Sequence, residues 1–172
     1  LHDGFDAQLP GTTTTPSLVA FDAPAPAAAA ASSSRLELVF LADTRLRDGR
    51  YANNSWLQET PDFVTKLTWD NALLVGPSTA EELAIENESL VSLKVGDRQL
   101  EVPVLIQPGQ APGSLALALG NGRTEAGVVG GSTSQGVTPA GFNSYLLREQ
   151  SSLWHSSEVE VTPTGGTFLL AS

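Results

Sequence analysis

Short apolar stretches separated by polar turns run along most of the chain. Six of them have the length and alternation typical of β-strands: residues 36–41, 64–69, 73–75, 90–95, 100–106 and 115–119. Gly96 and Asp97 join two of these segments and predict a hairpin. Pro103 lacks a backbone N–H, so it places the second hairpin strand at an edge or a bulge. Further short segments follow at residues 142–148, 158–162 and 167–171.

One segment has the signature of a helix. Ser78 and Thr79 each precede a glutamate by three residues, as in a capping box, in which hydroxyl and carboxylate satisfy free backbone N–H groups. We expect a helix of about two turns over residues 78–85. Asn87 is expected to end it in the left-handed conformation.

The first 34 residues differ from the rest. They contain a run of threonines and the string DAPAPAAAAASSS, which offers few bulky side chains to bury. We interpret residues 1–34 as a linker or extended segment and residues 35–172 as one β-domain. Leucine alternates with alanine over residues 115–119, which suits a tightly curved wall, so the prediction is a mainly β barrel with one or two short helices.

The composition excludes several classes of function. The 172 residues include nine Lys and Arg against nineteen Asp and Glu, a net charge of −10 at pH 7. This charge repels phosphate backbones and anionic lipid, so we expect no nucleic-acid partner. No apolar run reaches the roughly 20 residues that cross a bilayer, so direct membrane insertion is not expected either. The chain has no cysteine, which removes disulfides and Cys-ligated metal clusters from it.

The chain also has no methionine, even at position 1. We therefore interpret it as an internal fragment or a processed chain, with any targeting signal upstream of Leu1.

Few residues are arranged for catalysis. His2 and His155 are not at metal-ligand spacing, and neither a G-x-S-x-G elbow nor a P-loop is present. Residues 120–141 are rich in glycine, but no helix is predicted after them, so we expect an irregular loop rather than a nucleotide-binding turn. We predict no catalytic residue and no metal site.

Arg45, Arg47 and Arg50 form a basic cluster in an otherwise acidic chain. Such a cluster could bind a pyrophosphate or a carboxylate of a partner. Alternatively, its arginines pair with Asp43 and Asp48, which is the interpretation we favour.

Several strings carry a family resemblance: NNSWLQE (residues 53–59), LTWDNA (67–72), PSTAEEL (77–83), LGNGR (119–123) and FNSYLLR (142–148). Together they resemble the C-terminal, molybdopterin-dinucleotide-binding-type domain of the dimethyl sulfoxide reductase superfamily. Within that superfamily they are most similar to the large iron–sulfur subunit of bacterial alternative complex III, a quinol-oxidising respiratory complex. The resemblance covers residues 36–148.

The resemblance implies a six-stranded double-psi β-barrel. It also implies a parent subunit on the periplasmic side of a bacterial membrane, with iron–sulfur clusters elsewhere in that parent. The partners would be the remaining domains of the parent and the other subunits of a membrane-bound complex.

In cofactor-bearing relatives this domain closes over the pterin dinucleotide. The residues at matching positions are Asn53, Asn54, Arg123 and Asn143. We interpret them here as remnants that satisfy loop backbone groups, so that the fragment has no cofactor of its own and is not itself catalytic, while its parent transfers electrons. Two alternatives stay open: a true molybdopterin guanine dinucleotide-binding domain of a molybdenum enzyme, and a secreted carbohydrate- or protein-binding module.

Overall fold

The computed structural model describes residues 36–172, and the predicted linker of residues 1–34 lies outside them. The strands are β1 (Glu37–Ala42), β2 (Leu73–Val75), β3 (Ser89–Val95), β4 (Arg98–Ile106), β5 (Ser114–Leu119), β6 (Glu125–Gly127), β7 (Gly131–Ser132), β8 (His155–Ser156) and β9 (Val159–Thr167). The helices are α1 (Ser55–Glu59), α2 (Pro77–Leu83) and two short 3₁₀ helices, Thr133–Gln135 and Ser144–Leu147. Neither α-helix of this part of the chain has the length or apolar character to cross a membrane.

Seven strands form one mixed sheet in the order β8-β1-β5-β2-β4-β3-β9, while β6 and β7 pair separately. Two pairs are parallel, β1 with β5 and β2 with β4, and the others in the large sheet are antiparallel. The mainly β prediction is confirmed, with few and short helices. The closed six-stranded double-psi barrel stays a prediction, because this curled sheet has seven strands and two end strands, β8 and β9.

Alternation along the strands places one side of the sheet in the core. Leu38 and Phe40 of β1 are buried, as are Val91, Leu93 and Val95 of β3, and the residues between them are more exposed. A two-residue period sends alternate side chains to opposite faces, so these strands bury one face and solvate the other. A smaller cluster of buried residues, Leu67, Ala72 and Leu170, packs beside the C-terminal segment.

The predicted hairpin is confirmed as β3 and β4, which pair antiparallel from Leu90–Pro103 to Val95–Arg98 around Gly96 and Asp97. The prediction that Pro103 places this strand at an edge or a bulge is wrong, because β4 lies between β2 and β3 and its register with β3 is unbroken at Pro103. Pro103 pairs with β3, and the pairing of β4 with β2 begins one residue later, at Val104.

The predicted capping box of the helix is wrong. Helix α2 begins at Pro77 with Gly76 as its N-cap and no side-chain cap. Proline fits this first position because its missing N–H would have no partner there and its φ is already helical. The helix ends at Leu83, and its C-cap Ala84 takes the left-handed conformation that was predicted for Asn87. The side-chain Oδ1 of Asn87 instead accepts the N–H of Ile106.

The strand predicted at residues 64–69 is also wrong. The Asp62 carboxylate accepts the backbone N–H groups of Val64 and Thr65 and closes a turn. Lys66 and Trp69 then adopt positive φ, which no strand allows. The apolar alternation there gave no sign of this turn chemistry.

The glycine-rich residues 120–141 form a partly ordered loop. It contains the short β6–β7 pair and one 3₁₀ helix. No α-helix follows its glycines within the described residues.

Candidate functional site

The parallel pairing of β1 with β5 determines where the site forms. Ala42 at the end of β1 lies opposite Leu119 at the end of β5. Because parallel strands end at the same edge of a sheet, the loops that follow them meet there. One loop contains Asn53 and Asn54, and the other contains Arg123.

Two glycines let these loops cross at backbone distance. Gly49 has a φ of +93° and Gly120 a φ of +101°, values that side-chain-bearing residues rarely adopt. A Cβ added at Gly49 would lie 2.8 Å from the carbonyl oxygen of Gly120 and 2.7 Å from Cδ of Arg123. The arginine side chain therefore lies directly against the β1 loop.

A groove of about 470 Å³ opens beside this crossing. Its lining residues come from three loops and are Asp48, Arg123, Thr124, Glu125, Asn143 and Tyr145. The Tyr145 hydroxyl donates to the carbonyl oxygen of Asp48, at 3.0 Å, and joins the 3₁₀ helix to the β1 loop. Two of the four predicted site residues, Arg123 and Asn143, thus line one groove.

The three predicted asparagines all bind backbone groups through their side-chain oxygens. Asn53 accepts the N–H of Val129, at 2.9 Å. Asn54 caps helix α1 by accepting the N–H of Leu57, and Asn143 caps the second 3₁₀ helix by accepting that of Tyr145. Each of these hydrogen bonds holds a loop or the start of a helix in place. Asn53 and Asn54 do not line the groove.

Arg123 differs from the asparagines. Its exposed guanidinium forms no hydrogen bond and no ion pair with any residue in the range 36–172. An arginine without a carboxylate partner retains all its donors for an anionic ligand.

Two carboxylates, Asp48 and Glu125, line the groove. Arg50 pairs with Asp48, at 2.9 Å, and its side-chain hydrogen bonds hold the pKa of Asp48 far below its ordinary value. Glu125 accepts the backbone N–H and hydroxyl of Ser134 and the hydroxyls of Ser132 and Thr133, which lower its pKa to about 2. Both groups are therefore ionised at neutral pH.

Two of the three arginines of the basic cluster form the ion pairs that we favoured, and Arg47 forms none with the described residues. Arg50 pairs with Asp48, and Arg45 pairs with Asp43 at 3.2 Å in a buried site where each side chain is 5% exposed. Arg45 also donates to the carbonyl oxygens of Thr60 and Leu67. The buried Arg45 side chain therefore joins the loop of Asp43 to the segment that contains Thr60 and Leu67.

A second cavity, of about 250 Å³, was not predicted from the sequence. We name it the Asp70 cavity. Its walls are mainly apolar, and its polar lining includes Asp62, Asp70 and Arg45. Burial raises the pKa of Asp70, while a hydrogen bond from Ala171 and the charge of Arg45 oppose that rise. The string LTWDNA contains Asp70, but nothing in the local pattern indicates that it lines a cavity.

The described residues hold no group of three His, Asp or Glu side chains that could bind a metal ion. His155 lies exposed in strand β8, and His2 lies outside the described residues.

Comparison with known proteins shows the fold alone. No protein-family model and no curated protein sequence matches the chain. Among solved structures, it is similar to acetylene hydratase from Pelobacter acetylenicus, with a TM-score of 0.55 and 15% sequence identity. The similarity covers 75% of this chain and 18% of that chain, so the chain spans about a fifth of the length of acetylene hydratase.

Proposed function

We propose that residues 35–172 are a structural, double-psi-type β-domain of a molybdopterin oxidoreductase-like subunit. The subunit would belong to a quinol-oxidising respiratory complex of the alternative complex III type, on the periplasmic side of the membrane. The domain would pack against the rest of its subunit, which would hold the iron–sulfur clusters. Two findings support the superfamily: the strings named above and the fold likeness to acetylene hydratase, a molybdopterin enzyme of that superfamily.

The charge of the groove is the observation that favours a structural role. A pterin dinucleotide contains a pyrophosphate, and its anionic oxygens need cations or free N–H donors. The groove offers Arg123 but also the ionised carboxylate of Glu125, while the charge of its other carboxylate, Asp48, is paired with Arg50. The asparagine oxygens that would read a base edge already accept backbone N–H groups. The residues present therefore do not fit the dinucleotide well.

The second candidate is a true binding domain for molybdopterin guanine dinucleotide. The unpaired guanidinium of Arg123 favours it, because an arginine at a loop crossing is well placed to bind a phosphate. The two candidates differ in whether the carboxylates or the arginine determine the affinity of the groove.

Calorimetric titration with molybdopterin guanine dinucleotide separates the two candidates. We expect no saturable heat with the 172-residue chain. Micromolar affinity that is lost in Arg123→Ala would overturn the structural role and support the second candidate. Arg98→Ala, which changes an arginine outside the groove, is the matched control.

The full reading frame tests the parent. We expect it to continue into a region with cysteines spaced for iron–sulfur clusters. A frame that encodes only a secreted β-domain would instead support the binding-module alternative.

A further inference from the structure

The Asp70 cavity shares no lining residue with the groove, so it is a separate candidate site. Ala42, Leu67 and Ala72 are among its apolar walls, and the exposed side chains of Phe63 and Val64 stand at its rim. A concave, mainly apolar space with a few polar groups is the usual form of a small-ligand site. Its volume of about 250 Å³ is sufficient for a short alkyl chain.

Most polar groups around the cavity already have partners. Asp62 accepts four hydrogen bonds, from Thr44, Val64 and Thr65. The Asn71 amide binds the carbonyl oxygens of Ala118 and Phe142. These groups form the wall and have little capacity left for an occupant.

The unused capacity is mainly that of hydrogen-bond acceptors. Asp70 accepts one N–H, from Ala171 to Oδ2 at 3.3 Å, and its Oδ1 has no partner among residues 36–172. The side-chain oxygens of Gln107 and Gln110 likewise accept nothing from this part of the chain. An occupant must therefore donate hydrogen bonds to match the cavity.

One buried hydrogen-bond donor also belongs to a residue of the cavity lining. The Arg45 side chain is 5% exposed, and its Nε is buried without a hydrogen-bond partner within the described residues. A buried N–H without an acceptor is unfavourable, and an occupant that only donates hydrogen bonds leaves it unpaired.

The net charge of the lining is negative. Asp43, Asp62 and Asp70 outnumber Arg45, the one arginine of the lining, which pairs with Asp43 and whose charge also acts on Asp70. The nearest lysine in sequence, Lys66, donates to the carbonyl oxygen of Phe63 on the outer loop and does not line the cavity.

We propose that the Asp70 cavity binds an aliphatic ammonium group, with its alkyl chain against the apolar walls and its N–H donors on Oδ1 of Asp70. The chemistry is the same for a free alkylamine and for a lysine side chain of a partner polypeptide. This site does not depend on the function proposed for the groove.

The test is an NMR titration of the ¹⁵N-labelled 172-residue chain at constant ionic strength. The probes are n-pentylammonium, the neutral 1-pentanol and the blocked tripeptide acetyl-Ala-Lys-Ala-amide. Asp70→Asn removes the charge but keeps an oxygen for the Ala171 N–H. Asp97→Asn, in the exposed β3–β4 turn, is the matched control.

We expect saturable shifts at residues of the Asp70 cavity with n-pentylammonium, and affinity about tenfold weaker for 1-pentanol and for Asp70→Asn, as one partly buried ion pair would give. Asp97→Asn should bind as the parent chain does. Tripeptide binding as tight as that of the free amine supports a polypeptide source, and binding of the free amine alone supports a free ligand. Absence of saturable shifts, or equal affinity in Asp70→Asn, would overturn the proposal.

Discussion

At the residue scale, the number of backbone groups that an asparagine side chain binds follows its burial and not its place among the residues that the family resemblance selected. Asn71 is 3% exposed, and its amide joins three backbone groups: the carbonyl oxygens of Ala118 and Phe142 and the N–H of Phe142. The predicted residues Asn53 and Asn54 are exposed and form one such bond each. The string LTWDNA suggested the family but not this role, because burial depends on distant residues.

Asn71→Ala should therefore destabilise the domain far more than Asn53→Ala. Loss of three buried hydrogen bonds, with two carbonyls and one N–H left unpaired, should lower the free energy of unfolding by about 3 kcal/mol. The exposed Asn53→Ala should cost less than about 1 kcal/mol. Urea unfolding monitored by tryptophan fluorescence measures both, and equal effects would contradict the assignment of Asn71 to the buried junction.

Asp70 should reduce stability at neutral pH. Because burial raises its pKa in the folded state above the ordinary value of 3.8, ionisation favours the unfolded chain. Asp70→Asn should then unfold at a higher urea concentration than the parent chain at pH 7, and the difference should vanish below pH 3.8. A lower midpoint for the variant at pH 7 would show that the charge itself stabilises the fold.

At the element scale, local signals predicted the strands better than the helix ends. The β3–β4 hairpin could be predicted because its turn and its alternating residues are adjacent in sequence. The start of α2 could not, because Thr79 is turned inward, where its hydroxyl accepts the N–H of Gly113 at 2.9 Å. The Thr79 hydroxyl, which the sequence pattern assigned to the helix cap, therefore binds a distant backbone group instead.

The two candidate caps of α2 offer a matched pair of substitutions. Thr79→Val keeps the buried shape but leaves the N–H of Gly113 without an acceptor, which should cost about 1–3 kcal/mol. Ser78→Ala, at an exposed position with no cap bond, should change stability by less than about 0.5 kcal/mol. A larger loss from Ser78→Ala in urea unfolding would restore the capping box.

Glu125 makes the β6–β7 pair sensitive to acid. Its pKa falls from 4.5 to about 2 on folding, so its stabilisation is complete above pH 4.5 and is lost as pH falls towards 2. Glu125→Gln should flatten the pH dependence of unfolding in that window, and Ser134→Ala, which removes one hydroxyl donor, should flatten it partly. An unchanged slope in Glu125→Gln would exclude this carboxylate as its source.

At the scale of the whole molecule, the local sequence pattern could not predict which distant strands pair. β1 pairs in parallel with β5 through residues such as Leu38 and Leu115, far apart in the chain. Alternation predicts that each is a strand but not which partner it has. The mainly β class was therefore predictable, but the meeting of the β1 and β5 loops was not. The resemblance grouped Arg123 and Asn143, which line the groove, with Asn53 and Asn54, which do not.

The metal and pterin content of the intact parent protein tests the structural role most directly. Purified from its natural source, that protein should contain iron but neither molybdenum nor tungsten, and no fluorescent pterin after oxidative release. One equivalent of molybdenum or tungsten with pterin would contradict the role proposed here and make Arg123 a cofactor ligand to test.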